Sequence, residues 1–196
     1  MVRPFSLSIG LTPTGPRIGG PAPNAGADQF RDEHVQYFGT FPVDATREFS
    51  IFHRFEIFGD DDERDVIPHN NQILAPSELI WVLVHDASPR SGSSPNQFEA
   101  ARLDICDAGT DIDDDNADVA GRSILSCNKL GGLAYIERHA LMDAIPELES
   151  QGFSHLLQIG MNGDLLIDGF PWDPGFLNVW ARDPLDANTF RFAIQQ

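Results

Sequence analysis

A four-residue signature occurs twice in this chain, as Arg17-Ile18-Gly19-Gly20 and as Lys129-Leu130-Gly131-Gly132: a base, an aliphatic residue and two glycines. Each copy is followed by a strand-like run. Tyr37-Phe38-Gly39-Thr40-Phe41-Pro42-Val43 comes after the first, and His155-Leu156-Leu157-Gln158-Ile159-Gly160-Met161 after the second. Further on, Leu79–Asp86 is echoed by Phe176–Asp183, both runs ending in Asp. The same features in the same order, at unequal spacings, indicate a degenerate duplication rather than a tandem array. Duplication limits the architecture, because each copy must bury its apolar face against the other. The expected fold is α+β, mainly β, with two related β-rich halves packed as one domain. The halves are about 17–98 and 99–196, within a single domain over 1–196. A chain of 196 residues can fill such a core without staples.

Local patterns agree. Residues 49–58 alternate, with Phe49, Ile51, His53, Phe55 and Ile57 on an apolar face and Ser50, Phe52, Arg54, Glu56 and Phe58 on a mixed one. Residues 79–86 are almost continuously apolar, as expected of a central strand buried on both faces. Strands are also expected over 35–43, 154–161 and 176–182, while 98–106 suits a strand or an amphipathic helical turn. Pro13, Pro16, Pro21 and Pro23 exclude a helix from 1–33. One helix is expected over 138–150, where Ala140, Leu141, Ala144, Ile145 and Leu148 recur at helical spacing. Pro146 should break or restart it. Residues 87–97 and the Asp-rich 107–122 read as loops.

Thirty acids against 13 bases give a net charge of -17 and a pI near 4.4. Nucleic acid is bound through clustered Lys and Arg, so that balance excludes it as a partner. An anionic membrane surface is excluded on the same ground. A basic protein partner, cation binding or plain solubility remain compatible. No run reaches the roughly 18 apolar residues of a spanning helix. The N-terminus makes a poor signal peptide, and the cytoplasm is the expected compartment. Cys106 and Cys127 lie outside any CxxC. Buried free thiols are expected, with a disulfide as an option only in an oxidising compartment.

The stretch Lys129 to Gly132, followed by Leu156 to Ile159, Phe176 to Trp180 and the closing Gln195-Gln196, resembles the YwqG-like family of bacterial domains. That family typically reads Lys-Leu-Gly-Gly, then a Pro, an aromatic residue and a Gln, then a Leu-Leu-Gln-aliphatic strand. Here Ala134 stands where Pro is usual and Glu137 where Gln is usual. The first half keeps Gly19-Gly20-Pro21 but has no Gln over 38–43. The resemblance covers most of 17–196. It implies two related β-rich halves, in a family that often lies beside polymorphic toxins and looks like immunity proteins. The implied function is a non-catalytic cytoplasmic binding protein, an immunity protein that neutralises a cognate toxin, and the acid excess suits a basic one. The alternative is a small-ligand-binding protein or enzyme with its site at the junction of the two halves.

The residues themselves offer little chemistry. Histidines 34, 53, 69, 85, 139 and 155 make no HExxH and no metal-ligand pair, and there is no GxSxG, Walker loop or GxGxxG. Asp164 and Asp168 would stand about 13 Å apart along a strand, beyond the spacing of a glycosidase pair. The expectation is no enzyme, no catalytic residue, no metal and no cofactor. His53 and His85 are expected at the edge of the core, and Phe176 and Trp180 inside it. Asp104, Asp107, Asp111, Asp113, Asp114, Asp115 and Asp118 fall within one short stretch without a base. Read as an EF-hand from Asp111, it has Asn116 where Gly is needed and Arg122 where the bidentate Glu belongs. Three readings stay open: a solvated loop, an adventitious cation site or a protein-docking patch. Residues 99–196 carry 17 acids against 6 bases, and 1–98 carry 13 against 7. A basic partner is therefore expected on Asp111, Asp113, Asp114, Asp115 and Asp118. Trp172, in a loop between Pro171 and Pro174, is the candidate apolar anchor, with a core position as its other reading.

Overall fold

The computed structural model describes residues 2–10, 14–30, 34–54, 72–90, 98–106, 118–119, 122–123, 127–136, 139–160 and 175–195. In chain order its strands are β1 (Arg3–Ile9), β2 (Arg17–Ile18), β3 (Val35–Pro42), β4 (Arg47–Arg54), β5 (Ile80–Asp86), β6 (Ala101–Ile105), β7 (Asp118–Val119), β8 (Arg122–Ser123), β9 (Lys129–Leu130), β10 (Ser154–Gly160), β11 (Phe176–Ala181) and β12 (Phe190–Gln195). Helix α1 spans His139–Ser150. Ten strands make one antiparallel sheet in the order β12-β11-β10-β9-β1-β6-β2-β3-β4-β5, while β7 and β8 pair apart. The fold is mainly β, and the sheet curls into a nearly closed barrel. Leu74, just before β5, exchanges backbone hydrogen bonds of 2.8 and 2.9 Å with Phe192 of β12.

The strand order reads alike from both edges, and so does the register. Lys129 faces Gln158 and Gln158 faces Asn178. In the other half Arg17 faces Thr40 and Thr40 faces Ser50. Both long strands shift register at the same point, between His155 and Leu157 in β10 and between Tyr37 and Gly39 in β3. The echo of Tyr37–Pro42 in His155–Gly160 is thus in register residue by residue. The two halves meet where β1 pairs β6, around Ser6 opposite Asp104, with Phe5 opposite Ile105 and Leu7 opposite Leu103. Each signature ends its strand alike. Gly19, Gly20, Gly131 and Gly132 have φ of 63, 66, 71 and 73°, left-handed backbone that favours glycine. The Gly19 N–H donates to Phe38 O and the Gly131 N–H to Leu156 O, both at 2.9 Å.

The interior of the curl is the main core, where Phe41, Phe49, Ile51, Leu157, Ile159, Leu177, Val179, Phe190 and Phe192 are fully buried. Alternation along each strand sends the other residues to the outer face, and both halves cover that face. In the second half, Leu141 and Leu148 of α1 pack with Phe153 on Trp180. In the first, Tyr37 and Phe52 lie under a 3-10 helix, Asn24–Gln29, together with Phe30 and Trp81. Gly26 of that helix leaves room for Phe52, since a Cβ there would meet the ring at 2.6 Å.

Several expectations need correction. The third echo does not hold: β5 is an edge strand, whereas β11 corresponds in register to β4. Residues 79–86 are apolar because both faces of that edge are covered, with Ile80 and Val82 inside and Trp81 and Leu83 packed outside. The prolines before 24 do not bar the 3-10 helix, which starts directly after Pro23 and contains none. Helix α1 runs through Pro146, an exposed position where the missing N–H costs least. The Asp-rich stretch is not loop throughout, since β7 pairs Asp118 with Ser123. Neither cysteine is in a disulfide, but Cys106 is exposed and Cys127 only half-buried.

Candidate functional site

The duplicated register places a row of polar side chains on the outer face of each half. In the second half the row holds carboxamides. Gln158 is fully buried; its Oε1 accepts the Tyr135 N–H at 2.6 Å and its Nε2 donates to Cys127 O at 2.7 Å. Asn178 and Gln195 both donate to Tyr135 O, at 3.4 and 3.0 Å. Three carboxamides from three strands therefore clamp the backbone that leaves the Gly131-Gly132 turn. His155 sits beside them, with Nδ1 3.2 Å from Gly131 O and Nε2 3.2 Å from Asn178 Oδ1. Burial, aided by the Lys129 charge, pushes its imidazole down to about 4 despite both acceptors. The ring is neutral near pH 7 and can donate to only one of them.

In the first half the corresponding row holds hydroxyls. Tyr37 OH lies 2.6 Å from Thr40 Oγ1, Thr40 Oγ1 2.7 Å from Ser50 Oγ, and Ser50 Oγ 2.8 Å from His85 Nε2. His85 Nδ1 faces Asp86 O at 2.7 Å. A carbonyl only accepts, so in the neutral ring Nδ1 carries the proton and Nε2 accepts. That choice orients the whole chain: Tyr37 donates to Thr40, Thr40 to Ser50, and Ser50 to His85. Burial pushes the Tyr37 phenol up to about 12, against the nearby Arg17 charge, so it stays a donor. Ser50 and His85 have the mutual geometry of a nucleophile and its base. Ser50 is 0% exposed, however, and no substrate can reach its oxygen in this conformation.

Two charges are buried beside that chain. Arg17, 2% exposed, donates through Nη1 to Gly15 O at 2.7 Å, while its Nε and Nη2 have no acceptor among the described residues. The Oε2 of buried Glu48 likewise has no donor among them. These groups are functional candidates that sequence reasoning missed. The available signal was a polar residue at the same register position in adjacent apolar strands, as with Lys129, Gln158 and Asn178.

A cleft of about 320 Å³ opens where the halves approach each other, between the β3–β4 turn and the ends of β10 and β11. Its walls include Asp44, Arg47, Ser154, Arg182 and Asp183. Asp44 accepts the N–H groups of Thr46 and Arg47, both at 2.9 Å, and pairs with the Arg47 guanidinium at 2.8 Å. Those donors hold its carboxyl well below the usual carboxylate range.

Of the residues expected to meet a partner, Asp111, Asp113, Asp114, Asp115 and Trp172 lie outside the described residues. Asp118 falls in β7. Among the described residues no group of three His, Cys, Asp or Glu side chains could hold a metal, and no helix is long and apolar enough to cross a membrane. Comparison with protein-family models, curated proteins and solved structures finds no match to this chain.

Proposed function

We propose that the chain is a non-catalytic binding protein of the YwqG-like kind, an immunity protein that binds and neutralises a cognate toxin in the cytoplasm. The observation that carries this reading is how the buried polar side chains are used. Gln158, Asn178 and Gln195 are bonded to the protein's own backbone, and Ser50 is sealed within a hydroxyl chain. Such an arrangement suits a rigid scaffold better than a reaction centre. The charge balance of residues 99–196, 17 acids against 6 bases, suits a basic partner. Long-range attraction would act mainly on the association rate. The partner lands on Asp111, Asp113, Asp114, Asp115 and Asp118, with Trp172 as the apolar anchor that rim charges alone do not replace.

Reversing Asp111, Asp113, Asp114 and Asp115 to Lys tests this reading through association kinetics with the toxin at low and high salt. The on-rate at low salt should fall about tenfold or more, and its salt dependence should flatten. An unchanged on-rate with an unchanged salt slope would show that the stretch is only a solvated loop.

A further inference from the structure

Two arginines converge on one ring beside the cleft. The guanidinium carbons of Arg182 and Arg191 each lie 4.8 Å from the centroid of the buried Phe153 ring, so the two cations stand within twice that distance of each other. Each is anchored through Nη1 alone. Arg182 donates to Gln151 O at 3.3 Å, and Arg191 to Phe190 O at 2.7 Å and Asn188 O at 3.1 Å. Neither has a carboxylate partner among the described residues. In a chain with 30 acids and 13 bases, two arginines set on one ring without a described acid between them stand out, and desolvation, with the Arg182 charge added to it, lowers the pKa of the Arg191 guanidinium. Capping the end of α1 accounts for the Arg182 bond to Gln151, but not for the second arginine set against the first.

The edge left open on each guanidinium is Nε with Nη2, one of the edges that takes a carboxylate through two parallel hydrogen bonds. Stacking on Phe153 and the carbonyl anchors hold both forks before any ligand arrives, which lowers the ordering cost of binding. Arg182 also lines the cleft between the halves, which gives a ligand room beside its fork.

We propose that Arg182 and Arg191, held on Phe153 at the edge of this cleft, form a binding site for a dicarboxylate. Two forks match two carboxylates, supplied by a free dicarboxylic acid or by neighbouring acidic side chains of a peptide. The site is independent of toxin neutralisation and uses no residue invoked for it. The net charge of -17 opposes an anion at long range, so binding is weak, with Kd on the order of 1 mM.

The test follows the arginine Nε–H resonances of the whole chain by NMR at fixed ionic strength, with succinate, acetate, inorganic phosphate and a blocked Glu-Gly-Glu peptide as probes. Succinate or the peptide should shift both resonances saturably, and the tighter of the two identifies the source. Acetate should bind about tenfold more weakly, since it fills one fork. Arg182→Lys and Arg191→Lys keep the charge and lose the fork, and each should weaken binding about tenfold with the remaining spectrum unchanged. Three results would overturn the proposal: no saturable shift with succinate or the peptide, tighter binding of phosphate than of either, or undiminished affinity in both lysine variants.

Discussion

Lowering the pH from 7 to 5 should cost this fold about 2 kcal/mol for each of two desolvated imidazoles. His53 is buried and His155 half-buried, and the loss of water around each ring pushes it down to about 4 from the ordinary 6.5. The unfolded chain takes up a proton at each site as the pH falls below 6.5. The folded chain does so only near 4. Stability is therefore untouched above 6.5, falls between 6.5 and 4, and changes no further below. Half-way through that window the unfolded site is almost fully protonated and the folded site almost not at all, and about half of the eventual loss has accrued. The window from pH 7 to 5 also lies above the range where ordinary carboxylates titrate. Asp44, held low by its donors, acts only at lower pH. The assay is urea unfolding of the wild type, His53→Gln and His155→Gln at pH 7, 6 and 5. Each variant starts less stable, but its loss from pH 7 to 5 should be smaller than that of the wild type by about 2 kcal/mol. If all three proteins lose stability equally over this range, the histidines are not held neutral and the reasoning fails.

Two further substitutions test the duplicated framework. Gln158→Leu strips the Tyr135 N–H and the Cys127 carbonyl of buried partners, so urea unfolding should show a loss of about 3 kcal/mol with an unchanged slope against denaturant; a loss under about 1 kcal/mol would mean the clamp is dispensable. Gly19→Ala sets a Cβ 2.3 Å from Glu99 O at a φ of +63°, whereas Gly152→Ala at +83° meets nothing within 4 Å. Thermal unfolding should show about 1 kcal/mol lost for Gly152→Ala from backbone strain alone, and clearly more for Gly19→Ala; equal losses would show that the signature turn has room for a side chain.

Much of the framework was legible because it rests on short-range chemistry. The two Gly-Gly signatures announce left-handed turns, and the runs after them carry the same alternation, so the Tyr37–Pro42 match to His155–Gly160 holds in register. The third match failed because strand position is a long-range property. Residues 79–86 look central only because the 3-10 helix and Trp81 cover an edge, and nothing local distinguishes the two cases. The exchange of β1 and β6 between the halves is equally non-local, since Ser6 meets Asp104 only after the sheet has assembled. The polar rows were visible as letters, but their partners are backbone groups such as Tyr135 N–H, which a sequence pattern does not reveal. Arg182 and Arg191 are nine residues apart in sequence, and only the strand return through β12 sets both against Phe153.

The claim that this chain acts by binding a toxin is tested most directly by co-expression with the product of the adjacent reading frame as the candidate toxin, followed by size-exclusion chromatography of the pair. Restored growth together with a stoichiometric complex is the expected result. A toxin that stays lethal and elutes separately from the folded chain would contradict it.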